Sequence, residues 1–183
     1  MFRTALKNIA QALNSGKIPY IIIGGQAVLL YGEPRLTRDI DITLGIDIDK
    51  LDIVISVFSQ AGFSPIPKDI IQFVKETNVL PLEDIITGIR ADCIFSFSPY
   101  ERQAITRACR IEIDAVSVAY ASPEDVIIHK MFAGRPRDVE DVKGIINRRP
   151  DLDQNYIHEW LKSFTSIVDR DLVSLYTALT SGK

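Results

Sequence analysis

Cysteine is scarce in this chain: Cys93 and Cys109 are its only two. Two are too few for a disulfide framework, and no C-x-x-C pair offers a zinc or redox site. Both are read as buried thiols acting as small apolar residues. Histidine is equally scarce, and His129 and His158 stand far apart, so both are read as structural. Long apolar runs are missing as well. No stretch approaches the roughly 18 residues of a membrane-spanning helix, and the opening MFRTALKNIAQALN is broken by polar residues where a signal sequence would be continuously apolar. The expected setting is cytoplasmic, with no membrane partner. An excess of one charge is absent too: 21 basic residues face 24 acidic ones, a net charge of -3. That balance supplies no global field for nucleic acid. A basic patch exists only locally, over residues 130–149, where Lys130, Arg135, Arg137, Lys143, Arg148 and Arg149 outnumber Asp138, Glu140 and Asp141. It is either a contact for RNA or a solvated helix face laced with ion pairs.

What is present is an ordinary globular balance, 46% hydrophobic and 25% charged over 183 residues, enough to bury a core without staples. Apolar positions at Phe2, Leu6, Ile9, Ala10 and Leu13 recur at helical spacing and predict a helix over 2–15, capped at Gly16. YIIIGG reads as a short buried strand and QAVLLYG as a helix ended by Gly32. DIDITL alternates strictly and predicts a strand with Asp39, Asp41 and Thr43 on one face. KLDIVISVFSQAG and KDIIQFVKETN read as helices, VLPL and IRADCIFSF as strands, and PYERQAITRA as a helix. CRIEIDAVSVAY, residues 109–120, reads as one strand at the sheet's edge. Beyond it the pattern is helical: SPEDVIIHKMFA from the Ser122 cap, then 137–148, 153–163 and 169–180. The predicted class is α+β, a mixed sheet flanked by helices over 1–121 followed by a helical region over 122–183.

The segment IIIGGQAVLLYGEPRLTRDIDITL carries the chemistry. Two residues apart on a strand, Asp39 and Asp41 stand roughly 6.6 Å apart at Cα and point the same way. Like charges so placed are costly unless a cation offsets them, and oxygen ligands suit magnesium. A lone D-x-D also fits a solvated edge strand. Gly24 and Gly25 stand where a strand meets a helix, a geometry that lets a ligand approach bare backbone and meet free N–H groups. An anion site and a metal site on consecutive elements match the demands of a metal-bridged triphosphate.

Gly24-Gly25, then YGEPRLTRDIDI with Arg35, Thr37, Asp39 and Asp41, then Asp92 in RADCIF, together resemble the nucleotidyltransferase superfamily that includes polymerase-beta-like and antibiotic nucleotidyltransferases. SPEDVIIHKMFAGRPRDVEDV, with Lys130, Arg137, Asp138 and Asp141, looks most like the helical segment of the AbiEii-type toxin branch. The resemblance spans roughly residues 18–146 and implies the nucleotidyltransferase fold. It implies that Asp39, Asp41 and Asp92 are catalytic and bind two magnesium ions, or manganese in their place, about 3.5–4 Å apart. Asp92 would also accept the proton of the attacking hydroxyl. Gly24, Gly25, Arg35, Thr37, Lys130 and Asp138 are the implied nucleotide contacts, with the glycines at the β and γ phosphates. Asp138 and Asp141, three apart on a helix, equally suit an ion network with Arg135 or Arg137.

The implied reaction moves a nucleoside monophosphate from a nucleoside triphosphate to an acceptor hydroxyl on RNA, such as a transfer RNA end, on a protein, or on a small molecule. The toxin-like branch adds an antitoxin as a partner. The alternative is a catalytically idle module that binds nucleotide or protein on the same fold. A metal-dependent nuclease or phosphatase is a third reading, disfavoured by the glycine turn.

Overall fold

The computed structural model describes residues 1–96 and 98–181. Phe97, the last residue of the expected strand in IRADCIFSF, and residues 182 and 183 of the expected C-terminal region lie outside the described residues. The chain divides into two compact units, residues 1–26 with 36–121 and residues 27–35 with 122–183.

Among the described residues, the first unit is built on a mixed sheet of seven strands: β1 (Tyr20–Ile23), β2 (Asp39–Leu44), β3 (Phe63–Pro65), β4 (Val79–Asp84), β5 (Arg90–Phe95), β6 (Cys109–Ile113) and β7 (Val116–Tyr120). Their spatial order is β3-β4-β5-β2-β1-β7-β6. β2 runs parallel to β5 and β1 parallel to β7, and the other neighbours are antiparallel. The central position of β1 follows from its composition, since all four residues of YIII are buried. β2 alternates as its sequence demands: Ile40 and Ile42 are fully buried, and Asp39 and Asp41 half-buried.

Helices α1 (Phe2–Ser15), α3 (Leu51–Gln60), α4 (Ile70–Thr77) and α5 (Pro99–Thr106) complete this unit. α1 buries Ala5, Leu6, Ile9, Ala10 and Leu13, the stripe its spacing predicts, and packs on β7 and α3. Asp69 caps α4 through Gln72 N–H, and α5 begins with a reciprocal box between Ser98 and Glu101.

Three sequence expectations change here. Residues 109–120 form a hairpin rather than one strand, turning at Asp114 and Ala115 with φ of 48° and 63°. Both are left-handed without glycine, so the usual Asn-Gly signal of such a turn is missing. Phe63–Pro65 adds a short strand that the sequence left unassigned. Gly24 and Gly25 open helix α2 (Gly24–Tyr31) rather than ending the strand before it.

The second unit holds α6 (Pro123–Ala133), α7 (Pro136–Arg148), α8 (Gln154–Thr165) and α9 (Leu172–Ser181), with residues 27–35. α6 packs against α7, α8 and α9. Ser122 caps α6 by accepting from Asp125 N–H at 3.1 Å, and Gly134 ends the helix in the left-handed region. The buried Asp125 carboxylate accepts from Ser122 Oγ at 2.7 Å and Tyr156 Oη at 2.8 Å, which ties the start of α6 to α8. No helix is long and apolar enough to cross a membrane, among the described residues.

Candidate active site

The acidic face of the sheet is set by register. Asp41 lies opposite Asp92 across the parallel β2–β5 pair and opposite Ile23 across β1–β2, while Asp39 lies opposite Arg90. Residues paired in register point to the same side, so Asp39, Asp41 and Asp92 share one face, with strands about 4.8 Å apart. The opposite face at this level carries Ile40, Ile42, Ala91 and Cys93, all fully buried. Packing that apolar face fixes the register, and a one-residue slip would bury the acids.

Each carboxylate has its own surroundings. Thr37 Oγ1 lies 3.2 Å from an Asp39 carboxylate oxygen, to which it donates. Asp41 lies against the backbone of Gly24, where a β-carbon would overlap the carboxylate. Gly24 also has φ of +61°, so this position requires glycine twice over, for conformation and for space. Burial pushes the Asp92 carboxyl above the usual carboxylate range, Asp39 pushes it further, and Arg90 partly offsets both. The acids on β2 and β5 therefore feel each other's charge.

α2 starts beside Asp41, and the N–H groups of its first turn have no helical acceptor upstream. Gly24, Gly25 and Gln26 thus present the positive end of a short helix dipole at the acidic strand pair. Thr43, two residues beyond Asp41 on the same face, is 1% exposed. Its Oγ1 has no hydrogen-bond partner among the described residues. Sequence reading placed it with the acids but gave it no role; the available signal was one hydroxyl in an otherwise apolar strand end.

The expected nucleotide contacts of the second unit gather in an ion cluster. Arg35 grips Asp141 with two parallel bonds, Nε to Oδ1 at 2.8 Å and Nη2 to Oδ2 at 3.0 Å. Lys130 Nζ stands 2.6 Å from Asp138 Oδ1 and 2.9 Å from Asp141 Oδ2. The Arg135 backbone N–H donates to Asp138 at 3.2 Å. The sequence suggested Arg135 or Arg137 as partners for these acids, and the structure adds Lys130 and Arg35. Despite burial, bonds from Arg35 and Lys130 hold the Asp141 carboxyl below its usual range. Part of the local basic patch is paired as well: Arg148 with Glu33 and Arg149 with Asp151, both at 3.0 Å.

The three acids supply hard oxygen donors of the kind that hold magnesium, on two strands in matched register. Their side chains are not drawn together into a ligand shell: among the described residues no group of three His, Cys, Asp or Glu is placed to hold a metal ion. Asp39 turns to Thr37, and Asp41 lies against Gly24. The donor chemistry and the shared face fit a divalent cation.

No curated protein matches the sequence significantly. By fold, the chain is similar to an antigenic nucleotidyltransferase-like protein from Paracoccidioides brasiliensis, with TM-score 0.60, 19% identity, and coverage of 96% of this chain and 92% of that one. It is also similar to ANT(2")-Ia in complex with adenylyl-2"-tobramycin (TM-score 0.52, 18% identity, coverage 98% and 97%). A third is the lincosamide antibiotic adenylyltransferase LnuA bound to lincomycin (TM-score 0.54, 18% identity, coverage 78% and 94%). At such identities the likeness concerns the fold, here the mixed α+β nucleotidyltransferase fold. The family match reaches further, covering residues 2–169. The chain belongs to the family described as nucleotidyltransferase of unknown function (DUF6036).

Proposed function

We propose that this nucleotidyltransferase transfers a nucleoside monophosphate from a nucleoside triphosphate to an acceptor hydroxyl in a magnesium-dependent reaction. The observation that carries this reading is the register of Asp41 with Asp92, with Asp39 on the same face and Gly24 against the Asp41 carboxylate. Asp39, Asp41 and Asp92 would hold the divalent cations, which would supply Lewis-acid stabilisation of the charge that develops on the phosphates. Asp92, in register with Asp41 on the same face, accepts the proton of the acceptor hydroxyl. The α2 N-terminal amides at Gly24 and Gly25 bind phosphate oxygens, and Thr37 orients Asp39. Arg35, Lys130 and Asp138 keep their place at the nucleotide on the strength of the family resemblance. Lys130 retains one N–H beyond the two engaged by Asp138 and Asp141.

The pairing of three basic residues bears on the choice of acceptor. Lys130, Arg148 and Arg149 are engaged by acids of the chain itself, which supports a small hydroxylated molecule or a protein side chain over an RNA polyanion. Tobramycin and lincomycin, named with the two antibiotic enzymes, are reasonable first acceptors. A toxin role checked by an antitoxin rests on the AbiEii-type resemblance alone, and growth arrest on expression is its test.

The reaction is tested by incubating the protein with magnesium, each α-labelled nucleoside triphosphate, and hydroxylated antibiotics, total RNA or protein extract in turn. The expected result is label in one acceptor class with release of pyrophosphate, abolished by Asp41→Asn. Release of inorganic phosphate without label transfer, or activity equal in Asp41→Asn, overturns the proposal.

A further inference from the structure

The sheet ends at β6, whose outer side has no strand against it among the described residues. Its sequence, Cys109-Arg110-Ile111-Glu112-Ile113, has a symmetry that the catalytic reading leaves unused. Arg110, Ile111 and Glu112 are all exposed, Ile111 at 39%. A basic residue, an apolar residue and an acidic residue in that order read as their own complement when the strand is reversed.

The backbone carries the same symmetry. β6 and β7 are joined by a two-residue turn at Asp114 and Ala115, with Ile113 paired to Val116. In such hairpins the pair flanking the turn exchanges hydrogen bonds, and bonded pairs then alternate along the ladder. Ile113, Ile111 and Cys109 therefore bond inward to Val116, Val118 and Tyr120, in the observed register. Arg110 and Glu112 consequently turn their N–H and C=O groups outward, to the free edge.

A second β6 laid antiparallel with its two-fold axis at Ile111 places Arg110 opposite Glu112 of the other copy, and the reverse. Those are the residues whose main-chain groups face outward, so each such pair exchanges two hydrogen bonds. The same register sets opposite charges directly across from one another and apposes the two Ile111 side chains. A shift by two residues loses the charge match, and a shift by one loses the hydrogen bonds. We propose that two copies of this chain associate through β6 in this register, forming one continuous fourteen-stranded sheet about a two-fold axis. The contact is self-complementary, as a two-fold interface must be, and its small size makes the dimer reversible and concentration-dependent.

Sedimentation velocity on the full chain, with far-UV circular dichroism as a check on folding, tests the proposal. The parent is expected to move from monomer to dimer as concentration rises to about 100 µM. Arg110→Glu and Glu112→Arg, each placing like charges opposite one another, shift dissociation upward at least tenfold, while the double exchange R110E/E112R restores the dimer. In a Cys109→Ser background, Ile111→Cys forms an intermolecular disulfide under mild oxidation, because that non-bonded pair has its Cα atoms about 4.5 Å apart. A parent that stays monomeric at about 200 µM, or a dimer indifferent to both single reversals, overturns it. So does a dimer whose Ile111→Cys form does not cross-link.

Discussion

At Gly24 the chain has no room for a methyl group. A β-carbon there overlaps the Asp41 carboxylate, and φ of +61° already penalises any other residue. Gly24→Ala is expected to cost about 1 kcal/mol of stability from the left-handed backbone and to displace Asp41 from its place on the acidic face. Activity should fall by about 100-fold, the usual result of small misplacements in a reacting constellation, while thermal melting shows a folded protein. Near-parental turnover in this variant would separate Gly24 from the chemistry. Asp92 gives a second expectation, through pH. Its folded carboxyl is raised by burial and by Asp39, so the ionised form is disfavoured in the folded state. The folded state therefore gains on the unfolded one as pH falls through the raised value toward the ordinary carboxylate range, and loses that gain as pH rises. Asp92→Asn should melt a few degrees above the parent at neutral pH, with the gap closing on acidification. Magnesium should raise the melting temperature of the parent and not of the variant. The shared face of Asp39 and Asp41 was legible in the alternation of DIDITL; the pairing of Asp41 with Asp92 and the contact between Gly24 and Asp41 were not, because sequence carries no register between strands.

Elements were legible where period and caps agreed. The α1 stripe, the Ser122 cap of α6 and the alternation of β2 all appear as read. The 109–120 hairpin escaped because its turn uses Asp114 and Ala115 in place of glycine or asparagine, leaving the alternation unbroken to the eye. The ion cluster on α6 and α7 was half legible: acids three apart on one helix announced a network, but the partner from residue 35 comes from far along the chain. Asp141 is the hub of that cluster, meeting both Arg35 and Lys130. Asp141→Ala removes the two-bond pair with Arg35 and one of the two carboxylates at Lys130, at a site of low exposure, and is expected to cost about 3 kcal/mol. The pH dependence has the opposite sign to that of Asp92. A carboxyl held below its ordinary value stabilises the fold at pH above the unfolded value, about 3.9, and that contribution is lost as pH falls from there through the lower folded value. Urea denaturation from about pH 6 to pH 2 checks both: the parent midpoint should fall in the acid window, and Asp141→Asn should start lower and fall less.

On the scale of the whole molecule, the division of the chain into units does not follow its linear order. A reading by pattern alone divides it near residue 121, where strands give way to helices. Residues 27–35 nevertheless group with the C-terminal helices. Several contacts bind this segment to α7. Arg35 pairs with Asp141, Arg148 pairs with Glu33 and donates to the Gly32 carbonyl at 3.2 Å, and the β-carbon position of Gly32 lies 3.1 Å from Ile145. Ala27, Val28 and Tyr31 are buried. Burying side chains such as Val28 contributes about 1.5–3 kcal/mol each, a large share of what a helical fragment of this size can draw from its own core. Residues 122–183 expressed alone should therefore show helical circular dichroism without a cooperative thermal transition. Fusing residues 27–35 to the start of that fragment through a flexible linker should restore cooperativity, and restoring it with Arg35→Ala and Val28→Ala in the fused segment should fail. A sharp transition in the bare fragment would mean that the four helices hold their core without the segment, and that α2 contributes only to the acidic strand pair at its N-terminal end.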